Sequence, residues 1–215
     1  MSLQAQLDEI RSRTRELLRP EHLAVTNRAI AELQESGLAK HILPVGALAP
    51  DFELPDANGK LVRSSELRAR SRLVISFYRG RWCPYCVAQL EALQQAWPQI
   101  QARGASLIAV SPQTQRQTSF AAEQHHLKFP LLSDAGNQVA RKFGLVYAIP
   151  DYLKQQYKRT FVNLPLCNGD ESWELPLPAT FVIEPDGKVL FAEAHADYTR
   201  RMEPEEILEV LTTEN

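Results

Sequence analysis

The sequence predicts an α/β protein with a mixed central sheet flanked by helices and preceded by an N-terminal helical arm. Three observations predict it. Two apolar runs rich in β-branched residues, Leu73-Val74-Ile75-Ser76-Phe77-Tyr78 and Leu107-Ile108-Ala109-Val110, read as buried strands. Segments with helical spacing lie between such runs, which implies crossover units with parallel pairing. A closing hairpin around Pro185-Asp186-Gly187-Lys188 adds an antiparallel pair. The chain has 215 residues, 44% hydrophobic and 23% charged, which suits a globular protein with a sizeable core. A net charge of -2 leaves no footprint for nucleic acid. No apolar stretch approaches the roughly 18 residues of a membrane span, and Met1 to Asp8 lacks a signal-peptide pattern. A cytoplasmic location with neither nucleic acid nor membrane as partner is expected.

Residues 1–42 are expected to form the arm, as two helical segments broken at Pro20, with Leu3, Leu7, Ile10 and Leu17, then Leu23, Ile30 and Leu33, at helical intervals. The arm either packs on the main domain, 43–215, or serves as a dimerisation element, so a homodimer stays open. Asp51 to Val62 reads as a hairpin about the turn Asp56-Ala57-Asn58-Gly59-Lys60, and Ser64 to Leu67 starts a short helical turn. After the strand at 73–78, Val87, Leu90, Leu93, Trp97 and Ile100 predict a helix kinked at Pro98. A strand at 107–110, a helix over 114–126, a short strand at 129–132 and a helix over 136–143 follow. Residues 145–177 break the rhythm and predict a helix over 151–160 inside an irregular insertion. Strands at 180–184 and 189–192 make the last hairpin, and a helix over about 203–213 closes the fold.

Cys83-Pro84-Tyr85-Cys86 stands five to eight residues past the first buried strand and opens the next helix. Unpaired backbone N–H groups and the helix dipole at that end favour a negative sulfur, so Cys83 is expected as a low-pKa thiolate, with Cys86 more shielded and acting second. Pro84 suits the first helical turn, and Arg79 and Arg81 stand just upstream to add positive potential. Three chemistries compete for this spacing. A structural zinc site needs four ligands and only one such pair exists, since Cys167 has no partner motif. Two inert packed thiols remain open, and a redox dithiol fits the strand-to-helix context. Pro178, directly before a buried strand, is expected to be cis and to turn the backbone of Leu177 toward a substrate, against the alternative of an ordinary trans loop proline.

Ala49-Pro50-Asp51-Phe52-Glu53-Leu54-Pro55-Asp56-Ala57-Asn58-Gly59-Lys60, Ser76-Phe77-Tyr78-Arg79-Gly80-Arg81-Trp82-Cys83-Pro84-Tyr85-Cys86 and Pro178-Ala179-Thr180-Phe181-Val182-Ile183 together resemble the alkyl hydroperoxide reductase and thiol-specific antioxidant family. The resemblance is to a peroxiredoxin-like branch with a thioredoxin-style motif, over about residues 43–213. It implies a thioredoxin-like fold and a peroxidatic Cys83 that forms a sulfenic acid, resolved by Cys86 as a disulfide. A thioredoxin-like or low-molecular-weight thiol would then reduce it. No cofactor or metal is implied. The chain departs from the family at two places: Gly80 stands where a Thr or Ser usually precedes the attacking Cys by three residues, and Pro178 stands where an Arg usually sits. Trp82 before Cys83 and Pro178 before the strand are what thioredoxins have.

The expected substrate-binding residues are therefore Arg79, Arg81, Trp82, Tyr85, Leu177 and Pro178, with Trp82 and Tyr85 either walling the site or packing in the core. Cys167 is either a third redox centre or incidental. His125 and His126 point different ways on a helix and read as solvated surface rather than a ligand pair, and His195 reads as structural. The leading function is a thiol-dependent peroxidase acting on hydrogen peroxide or organic hydroperoxides. The alternatives are a protein disulfide reductase using the same cysteines and a non-enzymatic redox sensor.

Overall fold

The structure, a computed structural model, describes residues 1–212, so residue 213, where the closing helix was expected to end, lies outside the described residues. The chain begins with α1 (Leu3–Leu17) and α2 (Pro20–Glu35). The hairpin β1 (Glu53–Pro55) and β2 (Leu61–Arg63) and the short α3 (Ser64–Arg68) follow, then β3 (Arg72–Phe77), α4 (Pro84–Ala102), β4 (Ala105–Ser111), α5 (Gln115–Gln124), β5 (Leu131–Ser133) and α6 (Gln138–Lys142). An insertion carries β6 (Val146–Ala148), α7 (Asp151–Arg159), α8 (Leu164–Asn168) and β7 (Glu174–Pro176). The chain then returns through β8 (Ala179–Ile183) and β9 (Val189–Ala194) to α9 (Pro204–Thr212).

Five strands form the central sheet in the order β5-β4-β3-β8-β9. β3 pairs parallel with β4 and antiparallel with β8, β4 pairs parallel with β5, and β8 pairs antiparallel with β9. The sheet is mixed, as the alternation and the closing hairpin require. Central β3 obeys the two-residue period of a strand. Leu73, Ile75 and Phe77 enter one core layer, and Val74 enters the layer on the opposite face, with α4 and α9. In the first layer the rings of Phe77, Phe143 and Phe181 lie 4.9–6.0 Å apart between centroids, each pair contributing about 0.5–1.5 kcal/mol beyond its burial.

The arm is packed on the domain. Pro20 takes the first position of α2 and so divides the two helices, as expected. Leu3 and Leu7 of α1 are buried in the core layer that holds α4, while Leu17 stays exposed. The segment between β9 and α9 is tied to α1. Glu203 accepts hydrogen bonds from the N–H groups of Leu3, at 3.1 Å, and Gln4, at 2.6 Å. The Arg11 guanidinium donates to the hydroxyl and the carbonyl of Thr199.

Pro98 lies inside the single helix α4. Two local expectations are corrected. The insertion is more ordered than its prolines suggest, because β6 and β7 form an antiparallel pair. The Leu177–Pro178 bond is trans, with no cis peptide bond among the described residues. The chain there runs extended from β7 into β8, the Leu177 N–H donating to the Leu145 carbonyl and the Pro178 carbonyl accepting from the His195 N–H. An extended segment bonded on both sides has no turn for a cis bond to make.

Candidate active site

The C-terminal end of β3 delivers Tyr78 and Arg79, a tight turn at Gly80 reverses the chain, and Cys83 becomes the N-cap of α4 with Pro84 at its first position. Gly80 has φ +150°, and a Cβ built there would stand 2.4 Å from Trp82 Nε1 and 3.2 Å from Gln113 Oε1. Only glycine fits. Gly80→Ala should therefore displace the Trp82 indole and cost about 1–3 kcal/mol, the range for overpacking a closed site. Urea unfolding measures it, and an unchanged midpoint would show that the indole is free to move.

Both sulfurs are enclosed: Cys83 is 2% exposed and Cys86 0%. Two buried arginines face them. Arg79 places Nη1 3.7 Å from Cys83 Sγ, donates through Nη2 to the Tyr157 hydroxyl, and stacks on the rings of Tyr198 and Trp82 at 3.9 and 4.8 Å. Arg201, from the segment before α9, places Nη2 3.3 Å from Cys86 Sγ and donates through Nε to Gln89 Oε1 at 2.8 Å. Among the described residues neither guanidinium forms an ion pair with a carboxylate.

The two thiols titrate as one coupled pair: burial opposes the charged form at both sulfurs, and the guanidiniums of Arg79 and Arg201 favour it at both. The Cys83 side chain makes no capping bond to the first turn of α4.

Of the other expected residues, Arg79, Trp82 and Tyr85 gather at the dithiol. Tyr85 is buried with its ring 5.8 Å from that of Tyr198, and Trp82 lies 5.6 Å from Tyr157. Arg81 turns away, donating to Gln117 and stacking on Phe120. The Leu177 side chain is buried in the core layer of Phe77 and Phe181, and its N–H is already bonded to Leu145, so the structure does not bring it to the sulfurs. Cys167 is half-buried in α8, His125 bonds Glu91 and His195 bonds Glu193. Sequence reasoning missed Arg201, Gln89, Tyr157 and Tyr198, which lie on other elements and carry no motif. A cavity of about 540 Å³ opens between α2 and α7, lined by Ala29, Ile30, Leu33, Tyr147 and Tyr157, with Arg79 on its wall.

A family model described as AhpC/TSA family matches residues 45–192, more than half of the chain. The chain belongs to the AhpC/TSA family. Within that family, a protein of Mycobacterium tuberculosis described as a putative peroxiredoxin is 27% identical over 157 residues, covering 73% of this chain and 88% of that protein. The crystal structure of peroxidoxin BcpB from M. tuberculosis is similar with a TM-score of 0.62 and 25% identity, covering 79% of this chain and 96% of that one. The thiol-disulfide oxidoreductase ResA of Bacillus thuringiensis is 23% identical over 149 residues, covering 69% of this chain and 68% of that protein. The AhpC/TSA match stops before Arg201 and begins after the arm.

Proposed function

We propose that this AhpC/TSA family protein is a thiol-dependent peroxidase that reduces hydrogen peroxide or organic hydroperoxides through a Cys83 and Cys86 dithiol cycle. The observation that carries the reading is a dithiol closed to large molecules, with a guanidinium beside each sulfur. In the first step the Cys83 thiolate attacks the terminal oxygen of R–O–O–H, an S–O bond forms, the O–O bond breaks, and an alkoxide leaves. The Cys86 thiol gives its proton to that alkoxide, yielding the alcohol. The Cys86 thiolate then attacks the Cys83 sulfenic sulfur, the disulfide forms, and hydroxide leaves to take a proton from solvent. A small thiol, or a thioredoxin-like one once the disulfide form opens, restores the dithiol by exchange.

The apolar cavity beside Arg79 suits the organic part of a larger hydroperoxide. A reducing compartment such as the cytoplasm would keep the pair reduced between cycles.

The likeness to ResA and the Trp82-Cys83 pair favour a second reading as a protein disulfide reductase. That reaction needs Cys83 open to another protein, and at 2% exposure it is not. Stopped-flow mixing of the reduced protein with hydrogen peroxide should show oxidation well above the rate of free cysteine thiolate at the same pH. A rate no faster than free cysteine, together with rapid insulin reduction, would give the place to the reductase.

A further inference from the structure

We propose that the second helix of the arm builds a substrate pocket, and that Ala29 and Leu33 on it select hydroperoxides carrying a bulky apolar group. The inference rests on the peroxidase reading and adds to it a specificity wall supplied from before residue 45, where the family match begins. Thr26, Ala29, Ile30 and Leu33 follow one another at helical intervals and so share one face of α2. That face lines the cavity of about 540 Å³. No residue of α2 is buried, although the helix spans 16 residues. Polar ties to α7 fix it in place: Gln156 Nε2 donates to the His22 carbonyl at 3.1 Å and to the Thr26 hydroxyl at 2.9 Å, and the Arg28 guanidinium stacks 4.4 Å from the centre of the Tyr152 ring. An apolar stripe held over a void forfeits the dispersion contacts that a packed helix makes, and an apolar molecule entering the void restores them.

The cavity is graded from mouth to floor. Glu32, Ser36 and His41 on its lining are exposed, whereas Arg79, at 1% exposure, closes the inner end. Arg79 Nε is buried with no hydrogen-bond partner. Its Nη1 stands 3.7 Å from Cys83 Sγ and its Nη2 meets the Tyr157 hydroxyl. A buried donor left open is costly, and a substrate oxygen supplies the missing acceptor. One guanidinium therefore joins the pocket to the attacking sulfur. A hydroperoxide with its apolar group between α2 and α7 has its O–O end at the arginine that faces Cys83. Hydrogen peroxide has no such group and gains nothing from the pocket.

The test compares cumene hydroperoxide with hydrogen peroxide as oxidants of the reduced protein in stopped flow. Alongside, isothermal titration measures the binding of 2-phenyl-2-propanol, the alcohol that cumene hydroperoxide leaves. Ala29→Trp, which fills the cavity, should lower the ratio of the cumene hydroperoxide rate constant to that of hydrogen peroxide at least about tenfold, and should weaken the alcohol by a similar factor. Leu33→Asn, which sets an amide on the apolar wall, should move both in the same direction. A ratio and an affinity unmoved in both variants overturn the proposal. A fall in both rates by one common factor, with the alcohol bound as before, marks α2 as a brace for the fold and overturns it too. If Ala29→Trp does not fold, Ala29→Leu replaces it with a smaller expected drop, and an unmoved ratio there and in Leu33→Asn overturns it equally. A protein inert to both oxidants that binds the alcohol, and binds it less tightly as Ala29→Trp, would sink the peroxidase reading and leave the apolar site standing.

Discussion

Cys83→Ser should abolish peroxide consumption, whereas Cys86→Ser should complete one turnover and stop at a sulfenic acid on Cys83. The asymmetry follows from the roles of the two sulfurs. A thiol reacts as its thiolate, and Cys83 caps α4 with the Arg79 guanidinium 3.7 Å from its sulfur. Removing Cys83 takes away the attacking sulfur. Removing Cys86 takes away the group that closes the disulfide and the charge that raises the Cys83 thiol. Intact-mass measurement after one equivalent of peroxide, with dimedone as the trap, reads the result. A dimedone adduct on Cys86 in the Cys83→Ser variant would reverse the order.

The reduced protein should melt above the disulfide form at neutral pH, with the gap closing in acid. Forming the disulfide removes the negative charge that faces Arg201 and Arg79. Leaving a buried ion without its partner costs about 3–5 kcal/mol, whereas closing the short loop from Cys83 to Cys86 stabilises by roughly 2 kcal/mol. The balance favours the reduced state by about 1–3 kcal/mol, and a chain of this size shifts by about 2–4 °C per kcal/mol. The pH dependence has two limbs. The pair titrates in two steps, one depressed below the unfolded thiol value near 8.5 and one raised above it. The depressed step contributes stability that is complete above the unfolded value and lost as pH falls through its folded value, and the raised step contributes stability present below the unfolded value and lost as pH rises through its folded one. The reduced form is therefore favoured most between those limits, while the pair holds one proton. Scanning calorimetry of both redox forms across pH reads this directly, and a disulfide form that melts higher at neutral pH would mean that the guanidiniums find other compensation.

The sheet was legible because its signal is local. The run from Leu73 to Phe77 is apolar on both faces, and a strand with neighbours on both sides and cores above and below needs that pattern. The dithiol was legible for the same reason, since its spacing and its place after a strand lie within one short stretch. The surroundings of the second sulfur were not. They depend on Arg201, which is 115 residues from Cys86 in sequence and joins it only after β9 and α9 have packed. Leu177 misled because a proline before a strand signals a turn, whereas the carbonyl of Leu145 had already claimed the backbone.

The bonds from Arg11 and Glu203 to the stretch that carries Arg201 make the first helix part of the redox centre's scaffolding. A fusion tag, a proteolytic nick or a binding protein that peels this helix away would slacken the grip on the sulfur without touching the motif. Reactivity toward oxidants would then report on an event at the opposite end of the chain.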